Sequence, residues 1–152
     1  MKRHTFKGQV IINETGKKIL STFFGKGSVH DLTLFRQSKS VIHAGTLLIG
    51  DLGYVGIQKN HENSVVPHRK NCRPGLTKEE RKLTREQRAE NRALSRRRIV
   101  IEHINRRLKI FKILSERYRN RGHRFGLRFN LICAIYNYEY VSHKIEKDPP
   151  PP

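Results

Sequence analysis

The chain has 152 residues, 36% of them hydrophobic, with 32 Lys and Arg against 13 Asp and Glu and a net charge of +19. That length suits one domain with a lean core rather than two. The charge excess is more than solubility requires and points to a polyanionic partner, for which nucleic acid is the default.

In chain order, His4 to Ile12 alternates and closes on the β-branched run QVII. Asn13-Glu14-Thr15-Gly16 is a turn signal and Lys18 to Phe24 a second strand, so an antiparallel hairpin is predicted. After Gly25-Lys26-Gly27-Ser28, Asp31 is placed to cap a helix running through Leu32, Leu34 and Phe35 towards Ile42. Thr46 to Gly50 is a short apolar run that reads as a strand buried on both faces, ending at Asp51. A short helix or turn (Tyr54 to Lys59) and a brief strand, Ser64 to Pro67, follow; the proline marks its end or an edge position.

His68 to Gly75 is a polar loop. Thr77-Lys78-Glu79-Glu80 and Thr84-Arg85-Glu86-Gln87 are both capping boxes, so a long helix starts at one of them and runs to Glu116, with Val100, Ile104, Leu108 and Phe111 as its apolar stripe. Asn120 to His123 reads as a turn. Phe125 to His143 is a last helix burying Phe129, Ile132, Tyr136 and Tyr140, and the closing prolines form a disordered tail. Between Arg69 and Arg124 stand 20 Lys/Arg and 6 Glu, so the second half is the basic part and the first the apolar, sheet-forming part.

No apolar run approaches the roughly 18 residues that cross a bilayer, so no membrane partner is expected. MKRHTFKGQV lacks the apolar core of a signal peptide, and Cys72 and Cys133 suggest neither a disulfide scaffold nor a metal cluster. A cytoplasmic, nucleoid-associated protein is expected. His61-Glu62-Asn63 reads as a solvated loop and Cys72, near His68, as a free thiol. Aromatics do not interleave with the basic run, which argues against stacking on single strands.

Two carboxylates could carry chemistry. Asp51 lies where a strand meets a loop in GDLGYVG, with glycines that permit close approach of a metal or phosphate. Taken alone it reads equally as the start of an Asx-turn. Glu102 stands among Arg96, Arg97, Arg98, Arg106, Arg107 and Lys109. On a helix, Arg98, Arg106 and Lys109 fall within about 40° of it, opposite the apolar stripe. Intrahelical ion pairing is the plainer account of that residue. Together, the two acids suit an in-line phosphodiester reaction, in which carboxylates hold two divalent ions and cations hold the scissile group. If so, Asp51 and Glu102 converge.

RHTFKGQVIINETGKKILSTFFGKGSVHDLTLF, LLIGDLGYVGI and RRRIVIEHINRRLKIFKILSERYRNR resemble the insertion-sequence DDE transposases, in the branch of short bacterial elements, from Arg3 to Tyr140. The resemblance implies an α/β, ribonuclease H-like (RNase H-like) catalytic core, with three acids binding two Mg2+ ions (Mn2+ as an alternative) for DNA hydrolysis and strand transfer. By position, Asp51 matches the second aspartate and Glu102 the glutamate; the signature arginine four before and lysine seven after are Arg98 and Lys109. Ser95 stands where many relatives carry a tyrosine, so no role for that tyrosine is carried over. His30-Asp31 matches a recurring element, read as a helix start.

The first aspartate belongs on a strand upstream of Lys2-Arg3-His4-Thr5. The resemblance thus implies an incomplete core lacking its first strand, with C-terminal helices, spanning 1–145 before a Pro-rich tail at 146–152. Inactivity alone is expected, the first acid coming from an upstream segment of the same transposase or not at all. The expected partner is double-stranded DNA, both element ends and target, with a homo-oligomer as a further expectation. The loop from His68 to Gly75, with Arg69 and Lys70, and the basic start of the long helix would track the DNA backbone without reading sequence, and Arg97 is a further DNA-binding candidate; Arg117, Arg119, Arg121 and Arg124 do the same or are solvated surface. A non-enzymatic basic nucleic-acid-binding protein, or a regulator of full-length transposase, is the alternative.

Overall fold

A computed structural model of the chain describes residues 5–75, 77–116 and 123–147, with side chains through 143. Most of the expected Asn120–His123 turn, Arg117, Arg119, Arg121 and the proline tail lie outside the described residues. The chain is mixed α/β and divides into two compact units: Met1–Ser38 with Val100–Pro152, and Lys39–Ile99. The division does not follow the apolar and basic halves of the sequence, because both ends of the chain build one core.

In the first unit, β1 (Phe6–Ile12) pairs antiparallel with β2 (Ile19–Lys26), from Phe6 opposite Lys26 to Ile11 opposite Ser21, with a register shift before the Ile12–Ile19 pair. The hairpin forms as expected. Its loop is closed by the Asn13 amide donating to the Lys18 carbonyl (2.9 Å) and by Gly16 N–H donating to Asn13 Oδ1 (2.9 Å). Lys17 takes a left-handed backbone (φ 46°) that favours glycine, and its carbonyl accepts the Tyr136 hydroxyl at 3.1 Å.

Helix α1 (Asp31–Ser38) buries Leu34 and Phe35. It ends earlier than the expected Ile42 because Lys39 turns left-handed (φ 48°), as helix C-termini commonly do. Asp31 is the first helical residue rather than the cap; its carboxylate pairs with Lys7 on β1 at 3.0 Å. That role is structural. Leu34 lies so close to β2 that a Cβ on Gly25 would sit 2.6 Å from its Cδ1.

Helix α2 (Arg85–Leu108) contributes Ile104 and Leu108, and α4 (Phe125–Lys147) contributes Phe125, Phe129, Ile132, Cys133 and Tyr136, to one cluster with Ile19. Phe125 stacks on Phe6 (4.8 Å) and on Phe129 (6.1 Å). Gly126 is required here: any Cβ would meet the Phe24 ring at 2.1 Å. Asn137 Nδ2 donates to the Ile19 carbonyl (2.8 Å) and its Oδ1 accepts the Ile19 N–H (2.9 Å), filling one position on the strand's open edge. Tyr140 is half-buried rather than buried.

The long helix stops at Leu108, not Glu116. Its last turn tightens, with Ile110 and Phe111 N–H donating to the Arg107 and Leu108 carbonyls at 3.2 Å. Phe111 then turns extended (φ −72°, ψ 112°) before the single-turn α3 (Lys112–Ser115). Phe111 is therefore 39% exposed and off the apolar stripe. Ile113 and Leu114 pack on the cluster instead.

In the second unit, β3 (Leu48–Ile49) and β4 (Ser64–Val65) pair in parallel, Leu48 opposite Ser64 and Ile49 opposite Val65. The strand expected to be buried on both faces is shorter and only half-buried, with Leu47 41% exposed, because β4 is its one neighbour among the described residues. Two 3-10 turns, Leu52–Tyr54 and Ile57–Lys59, join the strands, and Ile57 is fully buried. His61, expected in a solvated loop, is buried: its Nε2 bonds the Thr46 carbonyl at 2.6 Å, which assigns the proton to that nitrogen. Of the two capping boxes, Thr84–Gln87 starts α2, with reciprocal bonds of 3.1 and 3.2 Å. The Thr77–Glu80 box closes an isolated turn.

Ile104 is 2% exposed at the centre of the first unit's cluster. Ile104→Ala is expected to cost about 2–5 kcal/mol, read as a lower urea midpoint. Burial pushes the Cys133 thiol up to about 11, whereas Cys72 is exposed. At pH 8 a thiol reagent should therefore titrate Cys72 in the native chain and both cysteines in urea. Equal reactivity of both in the native state would contradict the packing.

Candidate metal and nucleic-acid site

The ladder of the second unit continues one residue past β3, where Gly50 N–H donates to the Val65 carbonyl at 2.9 Å. Gly50 fits a tight spot, since a Cβ would lie 3.1 Å from Tyr54 Cβ and 3.2 Å from Val66 Cγ1. The next residue is Asp51, still extended (φ −97°, ψ −175°), and there the chain turns. Asp51 Oδ1 accepts the Gly53 N–H at 2.8 Å, capping the first 3-10 turn. This is the Asx-turn geometry read from the sequence, and it orients the carboxylate.

The other oxygen, Oδ2, faces Arg98 Nη2 at 3.7 Å. The Asp51 side chain is 47% exposed and that of Arg98 25%. Such a long, partly hydrated pair contributes about 0–1 kcal/mol, so it positions the carboxylate more than it stabilises the fold. The structure thus brings two of the sequence-predicted residues together within the second unit.

Arg98 belongs to α2, and Glu102 and Arg106 follow it at successive one-turn intervals, both exposed. Lys109 lies in the tightened turn at the helix end, its N–H donating to the Asn105 carbonyl at 3.0 Å. Glu102, Arg106 and Lys109 belong to the first unit, because the division falls between Ile99 and Val100 inside the helix. Arg97, Arg69 and Lys70 are exposed residues of the second unit.

The loop carrying Arg69 and Lys70 is anchored by residues that sequence reasoning missed. His68 N–H donates to Asn91 Oδ1 at 2.8 Å, and Asn91 Nδ2 donates to the His68 carbonyl at 3.0 Å. His68 Nε2 also bonds Glu90 Oε2 at 2.5 Å. The side-chain amide of Asn91 serves a backbone residue as a neighbouring strand would, tying the loop to the first turns of α2. A polar residue at mid-helix gives no local signal of such a role.

Carboxylate oxygens are hard donors that suit Mg2+ or Mn2+. Asp51 fits that chemistry, since among the described residues the partner of Oδ2 is Arg98, at 3.7 Å, beyond hydrogen-bond distance. Among the described residues no group of three His, Cys, Asp or Glu side chains gathers at one place, so these donors alone do not complete a coordination shell. Among the same residues, no helix is long and apolar enough to cross a membrane.

Residues 1–137 match the family model described as DDE superfamily endonuclease. The chain belongs to this family. The DDE endonuclease chain is also similar to a protein of Microchaete diplosiphon described as a probable transposase for insertion sequence element IS702, with 48% identity over 136 residues. That match covers 90% of this chain and 47% of the relative, so the chain spans about half the length of the relative it matches. No solved structure matches it.

Asn91→Ala is expected to release the loop after His68 while leaving α2 intact. The His68 amide should lose hydrogen-exchange protection and trypsin should cut faster at Arg69 and Lys70. Unchanged protection at His68 would show that the Asn91 amide is not the anchor.

Proposed function

We propose that this DDE endonuclease chain takes part in DNA transposition, as the portion of a ribonuclease H-like core that supplies the second and third metal-holding carboxylates, Asp51 and Glu102. The similarity to the IS702 transposase over nine-tenths of the chain supports the class of reaction. The observation that carries the site is the strand-end carboxylate of Asp51, oriented by Gly53 N–H and facing an arginine of α2.

Two divalent ions, Mg2+ or Mn2+, would supply Lewis acidity for cleavage and strand transfer at DNA ends. The protein's part is positional and electrostatic. Asp51 and Glu102 provide oxygen ligands. Arg98, Arg106 and Lys109 provide cations for the phosphodiester, and Arg98 also holds Asp51 in orientation. Arg97, Arg69 and Lys70 meet the phosphate backbone of element ends and target, and the loop bearing the last two is pre-set by Asn91. Cleavage is proposed for the assembled core, with the first carboxylate supplied by an adjoining segment of the same transposase. A basic nucleic-acid-binding protein or regulator is the competing reading; it takes the Asx-turn as the whole role of Asp51.

Iron-directed hydroxyl-radical cleavage separates the two. With Fe2+ and ascorbate, backbone cuts should appear near Asp51 and Glu102, be suppressed by excess Mg2+, and vanish in Asp51→Asn and Glu102→Gln. In a core completed with the upstream acidic strand, either substitution should lower Mg2+-dependent cleavage by more than about 100-fold, the upper end for residues that merely support ligands. Duplex binding in EDTA should survive. Undiminished cleavage in both variants would refute the assignment of Asp51 and Glu102 as metal-holding carboxylates.

A further inference from the structure

The first three turns of α2 carry a face that neither the core nor the carboxylates use. Arg85, Arg88, Arg92 and Arg96 are all exposed. At 100° per residue they lie within an arc of about 80°, and over 11 residues the stripe is about 16 Å long. Buried Leu94 lies on the opposite side of the helix, and Arg98, which faces Asp51, is also off the stripe. The acids of this segment, Glu86 and Glu90, are about 100–140° from Arg85, and Glu90 is engaged with His68. Arg88 Nε donates to the Thr84 carbonyl at 3.3 Å, fixing one guanidinium at the helix start.

A solvated helix face normally alternates charge at i, i+3 and i, i+4, because unlike pairs attract and like pairs repel. Here each step along the stripe, 85 to 88, 88 to 92 and 92 to 96, joins two arginines. Among the described residues no acidic side chain lies on the stripe; the attraction of neighbouring Glu86 for Arg88 offsets the repulsion only slightly, and a regularly charged polyanion would relieve it along its whole length. Duplex DNA carries about one negative charge per 1.7 Å of axis with both strands counted, or one per 3.4 Å along a strand, so a strand running beside a stripe of this length presents roughly five.

We propose that the face formed by Arg85, Arg88, Arg92 and Arg96 is a docking surface for the phosphate backbone of duplex DNA, separate from the cations assigned to the scissile phosphodiester. The choice of duplex DNA rests on the transposase reading above. The contact is electrostatic and sequence-independent, and it holds the register of the duplex without reading bases.

The test is binding of the 152-residue chain to duplexes of unrelated sequence across a salt series in EDTA, where the metal reading plays no part. Replacing Arg88, Arg92 and Arg96 by Gln should lower the slope of log affinity against log salt by about 2.7, at about 0.9 per phosphate contact, equally for every sequence. Gln is close to Arg in helix propensity, so α2 should persist by circular dichroism. Arg→Lys at the same three positions should keep the slope. Lys17→Gln, Lys18→Gln and Lys26→Gln together remove the same charge elsewhere and should change it by less than about 1. The proposal is overturned if the arginine variant matches that lysine control, if the loss is confined to one sequence, or if duplex RNA is the tighter stripe-dependent ligand. Loss of the radical cuts at Asp51 and Glu102 would leave it standing.

Discussion

Helix α2 has to bury one apolar stripe while carrying eight arginine side chains among its 24 residues, and that constraint organises what surrounds it. Leu94, Ile104 and Leu108 are buried, and every arginine of the helix except Arg97 lies on the remaining arc. There they sort by position. Arg98 meets Asp51, Arg106 follows Glu102 by one turn, and the arginines of the first three turns form a face of their own. An apolar stripe thus acts indirectly on electrostatics, because a helix that must present its leucines inward has no freedom in where its arginines point.

The sheets pose the opposite problem. Each has two strands, and a two-stranded sheet leaves backbone donors and acceptors at its edges. The same device meets this need at Ile19 and resembles the one at His68: a helix asparagine turns its side-chain amide to a backbone residue and both donates and accepts. Asn137 thereby couples α4 to β2, and Asn91 couples α2 to the basic loop. The second coupling fixes, against α2, the start of the loop that carries Arg69 and Lys70.

Much of the fold was legible in local patterns. The QVII run and the Asn-Glu-Thr-Gly turn announced the hairpin, and the Ile104–Leu108 and Phe129–Ile132–Tyr136 spacings announced the core faces of α2 and α4. Local patterns failed where two solutions were locally equal. The Thr77 and Thr84 boxes both form, yet only the second is continued by a helix. Thr46–Gly50 is apolar enough for a strand buried on both faces, but burial needs neighbours, and β4 covers one edge. His61 looks like loop polarity until the Thr46 carbonyl is found beside it.

By itself the sequence determined the charge excess, its concentration in the second half, the helix periodicities, and the motifs that identify Asp51, Glu102, Arg98 and Lys109 as candidates. These are properties of composition and spacing, which survive in any conformation. Only the tertiary structure decided that Asp51 faces Arg98, that Asn91 holds His68, and that Phe111 leaves the core while Ile113 and Leu114 enter it. Each depends on groups brought together from 23 or more residues apart in the chain, or on how a helix end resolves its last carbonyls, and neither is encoded in a local pattern of residue types.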